Sequence, residues 1–196
     1  AMSKTVMLGA VAPDSGPRGE EISDPSCKPP GDMRHIALAS GVVFAHMEKL
    51  AYDPHGRVHT FCHAVPGKWH VMGVTQGAGL SLQWFRNQLA PGSDYDSLTA
   101  EASLAPAGSQ GLVWLPYLMG ERTPHLDAGA RGGWIGLTAR HTRADLIRSV
   151  LEGVTFSLQD CLHLVEALGV DVHTVTASGG GAKSAFWRQM LADAFE

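Results

Sequence analysis

Three consecutive glycines between a predicted strand and a predicted helix could hold a nucleotide. Gly179, Gly180 and Gly181 lack side chains, so the backbone can approach a ligand closely, and the free N–H groups of the following helix favour anionic or polar groups. An ordinary β–α turn is the alternative interpretation. A Walker P-loop is excluded, because a loop ending at Lys183 would need glycine where Ala177 and Ala182 stand.

A charged, glycine-rich loop is the second segment in which chemistry could occur. Residues 121–125 read Glu-Arg-Thr-Pro-His, Asp127 and Arg131 follow, and the loop comes directly after a predicted buried strand. Long ordered loops at the ends of sheets often line binding sites. An ion-paired surface loop explains the same composition equally well.

A group of histidines and a cysteine suggests a metal site, but strand geometry argues against it. These residues are His59, Cys62, His63 and His70. In a strand, Cys62 and His63 point to opposite faces, while His59 and His63 lie about 13 Å apart at about 3.3 Å per residue. The sequence therefore predicts no metal site.

The elements that position these residues follow from hydrophobic periodicity and turn signals. Strands are predicted at 36–46, 56–65, 69–75, 112–118 and 174–177. Helices are predicted at 80–89, within 93–105, from Thr142 to Gly169, and after the glycine run with Phe186 and Phe195 on its buried side. The order β-β-β-α-α-β-α-β-α predicts an α/β domain whose mixed sheet is flanked by helices. It is similar to the order in a ribonuclease-H-like (actin-like ATPase) domain.

Residues 1–34 differ in composition from residues 35–196. Five prolines lie among Gly, Ser, Asp and Glu, and no apolar periodicity continues past Val11. Such a segment buries little apolar surface, so we predict an irregular N-terminal arm that precedes one folded domain.

Composition excludes several classes of partner. The 196 residues carry a formal charge of −4, which argues against nucleic acid or an anionic membrane held by bulk charge. The longest apolar run, 36–45, is half the length of a membrane helix. Three scattered cysteines are typical of reduced thiols, so we expect a cytoplasmic protein.

Two segments resemble the C-terminal signature of the FGGY carbohydrate kinases. They are Gly-Gly-Trp-Ile-Gly-Leu at 132–137 and Asp-Leu-Ile-Arg-Ser-Val-Leu-Glu at 145–152. The segments 59–63, 69–73 and 115–125 are similar to those of the bacterial members that phosphorylate D-xylulose. The resemblance covers about residues 40–196, which would be the ATP-binding C-terminal domain, cut short at its C-terminal end.

The resemblance implies transfer of the γ-phosphoryl group of Mg²⁺-ATP to a sugar hydroxyl. The catalytic Asp would lie in an N-terminal kinase domain of the parent protein, so no catalytic residue is expected in this chain. A second copy of the chain, in a homodimer, is a possible further partner. The residues expected to bind the nucleotide are Ser40, Gly41, Gly79, Gln83, Gly179, Gly180, Gly181 and Ser184.

Two alternatives stay open, one because the sugar pocket would lie in the N-terminal half and one because of a departure from the family pattern. The family's phosphate-holding Gly-Thr-Ser-Gly turn is replaced by Ala39-Ser40-Gly41, which lacks the Thr. The first alternative is a kinase for another sugar, such as gluconate or another pentulose. The second is a nucleotide-binding remnant without catalytic activity.

Overall fold

A five-stranded mixed sheet forms the centre of the computed structural model, which describes residues 4–8 and 40–196. The strands are β1 (Lys4–Leu8), β2 (Gly41–Met47), β3 (His59–Cys62), β4 (Trp69–Thr75), β5 (Val113–Leu115), β6 (Gly133–Ile135) and β7 (Val175–Ser178). The main sheet has the order β3-β4-β2-β1-β7, and β5 pairs with β6 separately. Strand β7 is parallel to β1, and the other pairings are antiparallel. The predicted α/β class with a mixed sheet is confirmed.

In the part of the chain that the structure describes, four α-helices accompany the sheet, and the longest is the one with the strongest sequence signals. They are α1 (Ala78–Leu89), α2 (Tyr95–Ala102), α3 (Arg143–Ala167) and α4 (Ala185–Ala194). Thr142 and Asp145 form a capping box at the start of α3, and Gly169, with φ of +81°, follows its end. No helix of the described residues is both long enough and apolar enough to cross a membrane.

The expectation of an irregular arm is wrong for Lys4–Leu8, which form strand β1 in the interior of the sheet. This strand pairs with β2 on one side and with β7 on the other. The prolines that dominate the composition begin at position 13, and a short strand is stabilised by partners that a local composition cannot reveal. Residues 1–3 and 9–34 lie outside the described residues.

Several predicted boundaries shift. The strand predicted at 36–46 is described from Gly41 onward, and residues 36–39 lie outside the described part. The strands predicted at 56–65 and 112–118 shorten to β3 and β5. Strand β6 begins at Gly133, where the predicted loop ends, and no strand was predicted there. It pairs with β5 through the register of Trp114 with Trp134.

Helix α3 packs against the main sheet and β5 through two glycines. A Cβ on Gly73 of β4 would lie 2.9 Å from Cβ of Cys161, and one on Gly153 of α3 would lie 2.2 Å from the carbonyl oxygen of Trp114. These contacts bring α3 close to both sheets. The buried side chains of β2 (Val43, Ala45 and Met47) belong to the same core.

Candidate functional site

The carboxyl ends of three strands lie at one end of the main sheet. Strands β1, β4 and β7 run in the same direction, because β1 and β4 are both antiparallel to β2, and β7 is parallel to β1. At that end Gly41 pairs with both Leu8 and Thr75, and Met7 pairs with Ser178. In open α/β sheets, ligands bind outside the carboxyl ends of the strands.

The predicted nucleotide-binding residues belong to three segments that meet at this end. Ser40 and Gly41 lie at the start of β2, Gly79 and Gln83 lie on α1 directly after β4, and residues 179–184 follow β7. One strand separates Gly41 from Ser178, so these two positions are about 10 Å apart. The structure therefore brings together segments that are far apart in sequence.

The β4–α1 junction, residues 75–79, is closely packed. A Cβ on Gly77 would lie 1.7 Å from the carbonyl oxygen of Pro116. A Cβ on Gly41 would lie 2.9 Å from Cβ of Ala78 and 3.0 Å from Cγ2 of Thr75. Only glycine fits at the first of these positions without movement of the backbone.

Helix α1 begins without a side-chain cap, so no capping side chain accepts from the N–H groups of its first turn. Gly77 precedes the helix and makes no side-chain cap, and the N–H of Ser81 donates to the Gly77 carbonyl. Gly79 and Gln83 are four residues apart and so share one face of α1. Gly79 is buried and Gln83 is half-buried.

A buried carboxylate holds the β4–α1 junction in place. Glu121, 4% exposed, accepts hydrogen bonds from the Thr75 hydroxyl (2.7 Å) and from the N–H groups of Gln76 (2.8 Å) and Arg122 (2.7 Å). The Ser157 hydroxyl on α3 donates to Oγ1 of Thr75 at 2.7 Å. These contacts were not predicted, because they join residues 46 and 82 positions apart.

The charged loop is fixed to the sheet at a second point. Thr123 is fully buried; its N–H donates to the Val74 carbonyl (2.9 Å), and its hydroxyl donates to the Arg57 carbonyl (2.6 Å). The Arg57 guanidinium in turn pairs with Asp53 at 2.8 Å. The interpretation of the loop as an ion-paired surface segment does not hold for its buried part. There Glu121 accepts hydrogen bonds from neutral donors, namely the Thr75 hydroxyl and two backbone N–H groups.

The glycine turn, residues 179–184, is held mainly by local bonds. Gly179 has φ of +89°, whereas Gly180 has ordinary helical angles of −62° and −43°. Residues Gly181–Lys183 form a short 3₁₀ helix, and the hydroxyl of Ser184 caps α4 by accepting from the Trp187 N–H at 3.3 Å. The Trp187 indole then donates to Thr155 of α3 at 3.0 Å, which anchors α4.

Burial and neighbouring charge move two pKa values near the site in opposite directions. Burial raises the pKa of the Glu121 carboxyl above its usual range, although hydrogen bonds from Gln76 and Thr75 oppose the shift. The hydrogen bonds and charge of Arg57 hold the pKa of Asp53 well below its usual range. The ionised form of Asp53 is therefore stabilised by its contacts, whereas burial destabilises the ionised form of Glu121.

The histidines that suggested a metal lie on the face of the sheet opposite α3. The ring centroids of His63 and His70 are 5.9 Å apart, and that of His46 on β2 lies 5.1 Å from that of His63. Cys62 pairs with Trp69, one residue before His70, so its side chain lies on the other face. In the part of the chain that the structure describes, no three His, Cys, Asp or Glu side chains are arranged to hold a metal ion.

The sequence matches a family model along most of its length. The model is that of the FGGY family of carbohydrate kinases, C-terminal domain, and it matches residues 39–196. The chain belongs to this family. The FGGY resemblance seen in the sequence is confirmed.

Curated relatives are bacterial sugar kinases. The chain is 43% identical over 156 residues to a xylulose kinase of Bacillus subtilis, and 45% identical over 154 residues to one of Escherichia coli. A gluconokinase of Bacillus subtilis is 38% identical over 178 residues. The matches cover 80%, 79% and 85% of this chain but only 31%, 32% and 34% of the relatives. The chain thus spans about a third of the length of the relatives it matches.

Solved structures of sugar kinases share the fold. A xyloylose kinase from Brucella ovis superposes with a TM-score of 0.78 at 33% identity, covering 98% of this chain and 34% of that one. A gluconate kinase from Lactobacillus acidophilus gives 0.75 at 26% identity, covering 98% and 33%. The expected ribonuclease-H-like, actin-like ATPase fold agrees with these neighbours.

Proposed function

We propose that this chain is the nucleotide-binding half of an ATP-dependent carbohydrate kinase acting on D-xylulose. The products would be D-xylulose 5-phosphate and ADP. Family membership supports a carbohydrate kinase, and the similarity to proteins named xylulose kinase supports this sugar. The observation that carries the nucleotide role is the meeting of residues 40–41, α1 and residues 179–184 at one end of the sheet.

Phosphoryl transfer depends mainly on positioning and on neutralising charge, and this half of the kinase would supply positioning. The glycines 179–181 would let phosphates or ribose lie against the backbone, and Ser40 and Gly41 would border the same surface at the start of β2. N–H groups of the first turn of α1 and of the glycine turn would donate to phosphate oxygens. Gln83 and Ser184 would add a side-chain amide and a hydroxyl to the same surface.

Mg²⁺ would enter the site with the nucleotide. In kinase sites this ion is commonly bound by the substrate phosphates together with one or two carboxylates, and it keeps several waters. The phosphates of ATP would therefore bring the ion to the glycine turn. We also propose a cytoplasmic location, where ATP and reduced thiols are available. A homodimer stays a prediction.

The general base would come from an N-terminal kinase domain of the parent protein. Three aspartates of this chain already have structural partners. Asp53 pairs with Arg57, and Asp94 caps α2 by accepting from the Ser97 N–H at 2.6 Å. Asp127 accepts from the Gly129 N–H at 2.7 Å. A base must reach the acceptor hydroxyl, and these bonds give each of the three aspartates a structural role instead.

The nucleotide role is tested with Gly180→Val. The backbone angles of Gly180 suit any residue, so the added side chain should leave the fold intact and block close approach of the nucleotide. We expect calorimetry to show ADP affinity at least about tenfold weaker than in the wild type. The control is Gly133→Val, because a Cβ at Gly133 would meet nothing within 4 Å. Equal affinities for wild type and Gly180→Val would refute the assignment.

The reaction is tested by ADP release in a coupled assay. We expect no turnover of D-xylulose by this chain alone, and partial recovery when a separately expressed N-terminal kinase half is added. Gluconate serves as the competing acceptor, because a gluconokinase is among the relatives. Sugar-dependent turnover by the chain alone would mean that one of its own residues acts as the base. If ADP binds but mixing the halves restores no turnover, the inactive-remnant alternative gains support.

A further inference from the structure

An open cavity of about 270 Å³ lies beside the β4–α1 junction. Its lining residues are Gln76, Met119, Glu121, Arg122, Leu126 and Ala128. We propose that this cavity binds part of the acceptor carbohydrate, so that the nucleotide-binding half also contacts the sugar. The choice of ligand rests on the proposed function, and the assignment of a sugar contact to this half goes beyond it.

The floor of the cavity offers a hydrogen-bond acceptor. The two oxygens of Glu121 accept three hydrogen bonds from Thr75, Gln76 and Arg122. A carboxylate has about four lone-pair sites, so about one is left for a ligand. A hydroxyl group placed in the cavity could donate to it.

The rim of the cavity offers hydrogen-bond donors. Arg122 is exposed, and the ion pairs of the described residues use other arginines, namely Arg57, Arg143 and Arg148. The pKa of His59 is lowered mainly by burial and, to a smaller extent, by the positive charge of Arg122. The guanidinium therefore has N–H groups to offer to a ligand.

This combination favours a ligand rich in hydroxyl groups over an ion. Glu121 would repel a phosphate and Arg122 would repel a metal cation, whereas a hydroxyl both donates and accepts. The side-chain amide of Gln76 also does both. Apolar lining from Met119 and Leu126 suits the C–H surface of a sugar.

The cavity also lies where an acceptor must lie. Gln76 directly follows Thr75 at the carboxyl end of β4, and Thr75 pairs with Gly41 of the proposed nucleotide site. Phosphoryl transfer needs the acceptor hydroxyl close to the γ-phosphate. A sugar site bordering the nucleotide site meets this requirement.

The test is a titration of the 196-residue chain with D-xylulose, followed by ¹H–¹⁵N NMR. We expect saturable shifts of the amide signals of Gln76, Glu121 and Arg122. Arg122→Ala should weaken binding of D-xylulose by at least about tenfold in the dissociation constant. The matched control, Arg143→Ala, removes an exposed arginine that pairs with Glu101 away from the cavity, and should bind as the wild type does.

Separate titrations with ADP and with inorganic phosphate distinguish the outcomes. If ADP shifts the glycine turn but D-xylulose shifts none of the cavity amides, the sugar site is overturned and the nucleotide role stands. If D-xylulose shifts the cavity while ADP has no effect at the turn, the nucleotide role fails and the sugar site is supported. Phosphate that shifts the cavity as strongly as D-xylulose would show an anion site and overturn the proposal.

Discussion

The β4–α1 junction (residues 75–79) and the β7–α4 turn (residues 179–184) lie at the same end of one sheet but are built differently. The junction is held by buried contacts from distant segments: the Pro116 carbonyl, Glu121, and Ser157 on α3. The turn is held mainly by its own neighbours, through the N–H of Lys183 donating to Gly180 and the cap at Ser184.

This difference implies that the two regions respond differently to substitution. Regions with many buried contacts unfold only when much of the protein unfolds. Exposed segments held by local bonds unfold locally at a small cost in free energy. We therefore expect changes at the junction to lower global stability. Changes at the turn should mainly alter ligand binding and the start of α4.

The largest expected effect is that of Gly77→Ala. The new Cβ would lie 1.7 Å from the Pro116 carbonyl oxygen, so the backbone of one segment must move. We expect a loss of about 3 kcal/mol in the free energy of unfolding, measured by urea denaturation. The control, Gly133→Ala, should change it by less than about 0.5 kcal/mol. Equal effects of the two substitutions would show that the junction is not closely packed.

Two threonines, one in the junction and one on β7 just before the turn, provide a second comparison. Thr75 is fully buried and bonded to both Glu121 and Ser157, whereas Thr176 on β7 is exposed. Thr75→Val leaves the Ser157 hydroxyl and one carboxylate oxygen of Glu121 without this partner, so we expect a loss of about 2 kcal/mol in stability. Thr176→Val should cost less than about 0.5 kcal/mol in the same urea titration. A loss at Thr75 no larger than that at Thr176 would contradict the buried network.

Local sequence predicts some features of this molecule and not others. The glycines at 179–181 and the capping pair Thr142 and Asp145 are local signals, and both the turn and the start of α3 were predicted from them. The bond between Thr75 and Glu121 depends on how the loop folds back onto β4, and no local pattern contains that information.

The strands that were missed have a similar explanation. Strand β6 has three residues, and Lys4–Leu8 has five; both are identified by pairing rather than by long alternation of apolar residues. Family resemblance named Gly79 and Gln83, whereas periodicity alone placed Gln83 on a helix and left Gly79 just before it. Whether these residues bind nucleotide stays a prediction until ADP is titrated.

A smaller effect is expected at the cap of α4. Ser184→Ala removes the hydroxyl that accepts from the Trp187 N–H, and loss of such a cap typically costs about 1 kcal/mol. Ser184→Asp keeps a capping oxygen, so its unfolding free energy should stay close to that of the wild type. If Ser184→Ala destabilises as much as Gly77→Ala does, the turn is as tightly integrated as the junction.

The smallest effect expected is a pH dependence that comes from Glu121. Burial raises the pKa of its carboxyl in the folded chain above the usual value of 4.5, so the folded state holds a proton more readily than the unfolded state. Its contribution to stability therefore falls as pH rises from about 4.5 through the raised pKa. Glu121→Gln does not titrate, so the stability of the wild type relative to this variant should decrease over that range.

Glu101 supplies the opposite sign within the same protein. Its hydrogen bonds to Arg143 lower the pKa of its carboxyl, so its contribution to stability is present above the usual value of 4.5 and is lost as pH falls through the lowered pKa. The wild type should therefore gain stability relative to Glu101→Gln as pH rises through the acid range. Urea titrations of both variants at several pH values measure the two slopes. Slopes of the same sign would mean that Glu121 is held as an anion by its hydrogen bonds, and the junction would then be stabilised by charge as well as by packing.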